Sequence, residues 1–327
     1  MHPLLFEPLY RHYLWGGRRF ETCLGRRLPP GDAYAESWEL VDRGTDQSLV
    51  AAGPLRGTAL GELVRTRGAD LLGRHAPRPS FPLLFKFLDA LHDLSVQVHP
   101  DDARAARRSP PDLGKTEAWY VLDAAPGSRI YAGLRPGTDR ASLAAALVAG
   151  RCDEVLHSFE PVAGDCIFIP AGTVHAIGAG LVVAEIQESS DVTYRLHDWN
   201  RTGADGRPRP LHIEEGLEAV TSFTPVAPVA RSAQPPGSAD RAVRRLVRCD
   251  HFQFDEVRSA TDWAVGGDDA CHFLAVISGA WHLPDHWQLP PLTRGTSCLL
   301  PAAIGRQVLA ARPGAGSTAT LLHVQLP

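Results

Sequence analysis

Most of the chain alternates apolar and polar residues in short runs broken by glycine and proline, the period of half-buried strands. Residues 4–50 carry such runs in LLFEPLYRHYLWGG and AESWELVD. From 58 to 72 the spacing changes to that of a helix, with Leu60, Leu63, Val64 and Leu71 on one face and Thr58 as its N-cap. LLFKFLDA at 83–90 is continuously apolar and reads as a buried strand. ARAARRS predicts a short arginine-rich helix stopped by Pro110 and Pro111. A strand, a turn at 125–128 and a second strand follow, then a helix capped by Thr138-Asp139 and ended at Gly150. DEVLHSFE at 153–160 reads as a second small helix, and 164–199 as two or three strands with glycine turns.

Residues 224–239 are rich in proline, alanine and serine without periodicity, which marks a linker. Beyond it the short alternating runs return, with an internal echo. EAWYVLDAAPGSRI has a weak counterpart in CHFLAVISGAWHL, and GDCIFIPAGTVHAI in GTSCLLPAAIGRQV. The expected fold is mainly β: two small double-sheet β-barrels with a few short helices, the second degenerate. The expected domains are 1–223, carrying the chemistry, and 240–327, joined by the 224–239 linker.

Leu94–Tyr120 concentrates the candidate chemistry. Ser95, Gln97 and His99 alternate, as do Lys115, Glu117 and Trp119, so each trio lines one side of its strand. An imidazole, an amide and a carboxylate are ligand types that zinc accepts. The echo supplies another ligand. Pro170-Ala171-Gly172 turns the chain toward His175, whereas the matching position of the second copy is Arg306 and no Gln-x-His precedes it. Gln97, His99, Glu117 and His175 together would offer two nitrogens, one carboxylate oxygen and one amide oxygen, with room for a substrate. His92, His157, His272, His282 and His286 fall outside this pattern.

Composition narrows the field. A net charge of -4 over 327 residues gives no electrostatic reason for nucleic acid or an anionic membrane as partner. The N-terminus lacks the pattern of a signal peptide, and no run approaches the roughly 20 apolar residues of a membrane span, so the expected location is the cytoplasm. The six cysteines are scattered without a C-x-x-C pair, which suits reduced buried thiols. Lysine occurs only at Lys86 and Lys115, in a chain that otherwise writes arginine. A compact ammonium is not interchangeable with a guanidinium at a tight site, so Lys115 becomes a candidate for chemistry.

The blocks FPLLFKFLDALHDLSVQVHPDD, GKTEAWYVLDA, IPAGTVHAI and VTYRLHDWNR, in this order and spacing, resemble the type I phosphomannose isomerases of the short bacterial kind. The resemblance extends to the WGG and ESWEL segments and the C-terminal half. It implies two cupin barrels, one zinc ion per chain held by Gln97, His99, Glu117 and His175, and interconversion of mannose 6-phosphate and fructose 6-phosphate. It makes Arg195 the catalytic arginine, places Lys115 and Ser95 in the substrate pocket, and matches Lys86 to a pocket lysine of the preceding strand. Thr193 and His197 are expected on the same strand face as Arg195. The partner is a small sugar phosphate, and the chain is expected to be a monomer or weak homodimer. An isomerase of another, unphosphorylated sugar and a non-catalytic sugar-binding cupin are the alternative readings. The residues leave the general base open among Lys115, a zinc-bound hydroxide and Glu117, the last occupied if it binds the metal.

Overall fold

Strand Leu181–Glu188 is buried along its whole length, which only a central strand covered on both faces can be. The computed structural model describes residues 1–31, 33–202, 206–230, 241–314, 316 and 318–327. In chain order the first half holds β1 (Leu9–Arg11), β2 (Glu36–Leu40), β3 (Asp42–Arg43), β4 (Asp46–Gln47), β5 (Leu83–Ala90), β6 (Val96–Val98) and β7 (Glu117–Ala124). It continues with β8 (Ile130–Leu134), β9 (Leu156–Phe159), β10 (Cys166–Ile169), β11 (His175–Ile177), β12 (Leu181–Glu188) and β13 (Tyr194–His197). The second half holds β14 (Arg241–Arg248), β15 (Gln253–Ser259), β16 (Trp263–Val265), β17 (His272–Ser278) and β18 (Ala280–His282). After these come β19 (Leu292–Thr293), β20 (Ser297–Leu300), β21 (Gln307–Arg312) and β22 (Ala319–Gln325).

A six-stranded sheet, β1-β2-β5-β12-β7-β10, lies against a five-stranded one, β13-β6-β11-β8-β9. Leu88, Trp119, Val121, Ile167 and Val183 of the first meet Ile130, Ala132 and Ile177 of the second between them. The period of two sends the alternate residues outward. Val96, Val98, Val174 and Leu196 therefore pack behind the five-stranded sheet on Leu143, Leu147 and Val220. Phe85, Phe87, Tyr120 and Ile186, on the outer face of the six-stranded sheet, pack on Phe254, Phe273, Leu322 and Val324 of the second half. The halves thus share one apolar core, and a bridge from Leu4 to Leu299 adds the N-terminus to the second half's edge.

The echo is a structural repeat. The order β5-β12-β7-β10 recurs as β15-β22-β17-β20, and β6-β11-β8-β9 as β16-β21-β18-β19. The pairing register carries the match to single residues. Glu185 opposes Lys86 as His323 opposes Asp255, and Glu117 opposes Ile169 as His272 opposes Leu300. In the second half these positions satisfy one another. His272 Nδ1 lies 2.9 Å from His323 Nε2, His272 Nε2 lies 2.8 Å from Asp268 Oδ1, and Asp255 pairs with Arg245.

Several local expectations shift. The helix spans Leu60–Leu72 with Ala59, not Thr58, at its N-cap, and Thr58 is spent on backbone pairing with Val50. Gln47 Oε1 serves the helix start instead, accepting the Gly61 N–H at 3.0 Å. The expected helix at 153–160 is a single tight turn, Cys152–Glu154, followed by β9, because pairing with β8 satisfies more backbone there than an isolated short helix would. The arginine-rich helix is limited to Asp102–Ala105, with Asp101 as its cap. Helix Phe20–Leu24 lies where only strands were expected, and 164–199 forms four strands. Of the linker, residues 231–239 lie outside the described residues. Pro225, Val226 and Val229 pair with Gly133, Ala132 and Cys166 of the first half.

Candidate metal centre and substrate pocket

Two rows of side chains face each other across the interior of the first half. On the five-stranded sheet, Gln97 of β6 stands opposite His175 on one side and Arg195 on the other. Directly paired residues on antiparallel strands share a face, so the three form one row. On the six-stranded sheet Trp38, Lys86, Glu185 and Trp119 form a second row, with Glu117 beside it. Between the rows is a cavity of about 330 Å³, a size suited to a small sugar phosphate. Ser95, Gln97, Lys115, Glu117, His175 and Arg195 are among its lining.

The ligand atoms of His99, Glu117 and His175 all lie within 4.8 Å of one another and are buried. His99 Nδ1 is 2.8 Å from Val192 O, and His175 Nδ1 is 2.9 Å from Thr173 O. A carbonyl accepts only, so both rings carry the proton on Nδ1 and present the Nε2 lone pair inward, the tautomer a metal requires. Burial, helped by the Lys115 charge, holds His99 well below the usual imidazole range, and burial pushes His175 down to about 4. His175 Nε2 is 3.3 Å from Glu117 Oε1. Glu117 Oε2 is 2.7 Å from Lys115 Nζ, yet no donor is aligned on it, so a fully buried carboxylate oxygen keeps an unused lone pair. Lys115 Nζ is also 3.1 Å from His99 Nε2. These donors thus already meet around a positive charge, and the set fits a divalent cation. Gln97 points into the cavity with its amide nitrogen donating to Ser95 Oγ at 3.1 Å, which leaves its oxygen for a ligand.

Lys86 sits between two carboxylates, 3.1 Å from Glu185 Oε1 and 3.5 Å from Glu36 Oε2. Burial alone would lower its proton affinity, but Glu185, Glu36 and Glu117 overcome that and raise it above the ordinary lysine value. Arg195 Nε donates to Ser95 Oγ at 3.3 Å and Nη1 to Pro210 O at 2.9 Å, so its guanidinium is braced from both sides. Arg209 lines the cavity beside it while pairing with Asp198.

All eight sequence-derived residues come together: His99 forms the wall behind, and Lys86, Ser95, Gln97, Lys115, Glu117, His175 and Arg195 line the cavity. One neighbour departs. The register slips between Arg195 and His197, so Thr193 lines the cavity while His197 packs edge-on against Trp199. Sequence reasoning missed Glu36 and Glu185. Glu36 and Trp38 share a face in ESWEL, as Glu185 and Gln187 do in LVVAEIQE, and that alternation was the available signal.

Fold and site define the class: a two-sheet β protein with a buried His/Glu donor cluster at the end of a pocket lined by lysine, arginine and carboxylate side chains. The family model described as phosphomannose isomerase type I, catalytic domain, matches residues 4–121. Mannose-6-phosphate isomerase ManA of Bacillus subtilis (strain 168) is 32% identical over 303 residues, covering 93% of this chain and 94% of that protein. Mannose-6-phosphate isomerase of Streptococcus mutans is 38% identical over 223 residues, 68% of this chain and 69% of that one. The crystal structure of the Bacillus subtilis mannose 6-phosphate isomerase superposes with a TM-score of 0.86 at 27% identity, covering 99% of both chains. The chain belongs to the type I phosphomannose isomerase family, which is metal-dependent. Among the described residues no helix is long and apolar enough to cross a membrane.

Proposed function

We propose that this chain interconverts mannose 6-phosphate and fructose 6-phosphate, with one zinc ion held by Gln97, His99, Glu117 and His175. The observation that carries the reading is the convergence of His99, Glu117 and His175 on one point, beside a row that ends in Arg195. Family membership supplies the reaction. Aldose–ketose isomerisation moves a proton between C1 and C2 through a cis-enediol, and negative charge develops on both oxygens. The chemistry supplied by zinc in this donor set is Lewis-acid polarisation of those oxygens.

The protein's own groups divide the remaining work. Arg195, braced by Ser95 and Pro210, binds the phosphate through a fixed planar charge. Ser95 adds a hydroxyl at the same end of the pocket. Lys86, kept protonated by Glu185 and Glu36, is a permanent cation facing substrate oxygens rather than a base. Lys115 is the amine placed against the donor cluster and is the proposed proton-transfer group.

The same reading assigns this site to a domain of residues 1–223, followed by the 224–239 linker and a degenerate domain of 240–327. It takes the chain to act in the cytoplasm as a monomer or weak homodimer, with no nucleic-acid or membrane partner. The test is a coupled isomerase assay on chelated and zinc-restored protein. Activity should vanish on chelation and return with zinc, and activity that survives complete metal removal overturns the mechanism.

A further inference from the structure

Lys115 precedes the first residue of β7, so its position depends on main chain outside the sheet ladder. Three consecutive N–H groups there each have a dedicated acceptor. Gly114 N–H donates to Asp102 Oδ1 at 2.7 Å, Lys115 N–H to Pro100 O at 3.1 Å, and Thr116 N–H to Glu188 Oε2 at 2.8 Å. Glu188 also donates its own N–H to Thr116 O at 3.2 Å, so one residue holds Thr116 from both sides. The Thr116 hydroxyl in turn accepts the Ala171 N–H at 3.4 Å, in the turn that precedes His175.

Behind this clamp two carboxylates stand close together, and the group that answers them comes from the other half of the chain. His251, in the turn between β14 and β15, places Nδ1 3.1 Å from Glu188 Oε1. Ligand atoms of Asp102, Glu188 and His251 lie within 4.8 Å of one another. The cluster could be taken for a second cation site, but Asp102 Oδ1 and Glu188 Oε2 are already committed to backbone N–H groups. The free edge of Glu188 meets the imidazole instead. Burial, reinforced by Asp102, pushes the Glu188 carboxyl up to about 7.

We infer that His251 is a positioning residue for Lys115: acting through Glu188 and Thr116, it fixes from the C-terminal half the main chain that carries the pocket's amine. The inference rests on the isomerase reading for what Lys115 does, though not for the clamp itself. It also gives the degenerate half a part in the reaction, although none of its described residues lines the pocket.

The experiment compares His251→Ala and His251→Asn in the zinc-loaded full chain. Asparagine places an amide nitrogen where Nδ1 stands. Four quantities are read: kcat and KM for mannose 6-phosphate, zinc content, and hydrogen exchange of the Gly114–Thr116 amides. The alanine variant should lose kcat by roughly 10-fold, since small misplacements of a reacting group cost one to two orders of magnitude. KM and zinc content should stay as in the parent, and the three amides should exchange faster. The asparagine variant should recover most of both losses. Parental exchange and kcat in the alanine variant, or equal losses in both variants, would overturn the proposal. If the parent itself fails to turn over mannose 6-phosphate, the isomerase reading falls, while the exchange comparison still decides the clamp.

Discussion

Lys86 and Glu185 oppose each other on adjacent strands with Nζ 3.1 Å from Oε1, both almost wholly withdrawn from water. Glu36 flanks the same ammonium, and Trp38 Nε1 fixes Glu36 by donating to Oε2 at 2.6 Å. Removing the ammonium alone would strand two buried carboxylates. Lys86→Met is therefore expected to lower stability by about 3–5 kcal/mol as well as activity. Urea midpoints of the zinc-loaded protein check this, and a loss confined to activity would contradict it.

Arg195 is read as the phosphate-binding group, so its loss should discriminate between substrates. Arg195→Ala is expected to lower kcat/KM for mannose 6-phosphate by roughly 10²-fold, the worth of a charge-assisted hydrogen-bonding pair. Zinc content should be unchanged. Parallel assays with mannose 6-phosphate and free mannose check the assignment. Turnover of free mannose at a rate equal to that of the phosphate ester would favour an isomerase of an unphosphorylated sugar.

His175 reaches the donor cluster only because the preceding turn is tight. Gly172 has φ +83°, and a Cβ there would clash with the Thr221 hydroxyl, while its N–H donates to His99 O at 2.8 Å. Gly172→Ala is expected to cost at least about 1–2 kcal/mol from backbone conformation alone. Because the turn joins two of the proposed ligands, zinc affinity should fall with it. Competition against a fluorescent chelator measures that fall, and parental affinity would refute the link.

Among the groups that set the pH dependence of the metal-free protein, His175 and Glu188 act in opposite directions. His175, pushed down to about 4 from 6.5, stays neutral in the folded chain where the unfolded chain takes up a proton. That contribution is full above the upper value and is lost as pH falls toward the lower one. Glu188, pushed up to about 7 from 4.5, keeps a proton in the folded chain that the unfolded chain releases. Its contribution is present at low pH and is lost as pH rises through that window. Each slope is at most about 1.4 kcal/mol per pH unit. Glu188→Gln removes only the second, so the rise of stability with pH in the shared window should become steeper. Urea titrations of chelated protein at a series of pH values test this, and an unchanged slope would refute it.

The proposed ligands stand out in the sequence because strand periodicity is local. Gln97 with His99, and Lys115 with Glu117, announce a shared face at a spacing of two, and the echo singled out His175 by its absence from the second copy. Glu185 carried only its alternation with Gln187, and Glu188 carried no signal of its own. They lie in LVVAEIQE, where polar residues in an apolar run look like the solvent side, and only the sheet packed on each face makes that strand wholly buried. The strand at Leu156–Phe159 was hidden for a related reason, since its partner β8 lies more than twenty residues upstream. His251 carries no local signal at all, because its partner belongs to the other half.

The apolar seam that joins Phe85, Phe87 and Tyr120 to Phe254, Phe273 and Leu322 has a practical side. A chain cut within the proline-rich segment would keep every proposed zinc ligand and still expose a face of aromatic rings to water. It would also leave the Leu4 edge without Leu299. The half that holds the proposed ligands and the half that lacks them must therefore be expressed and engineered as one piece. Any minimal version of this protein must retain residues that never touch a sugar.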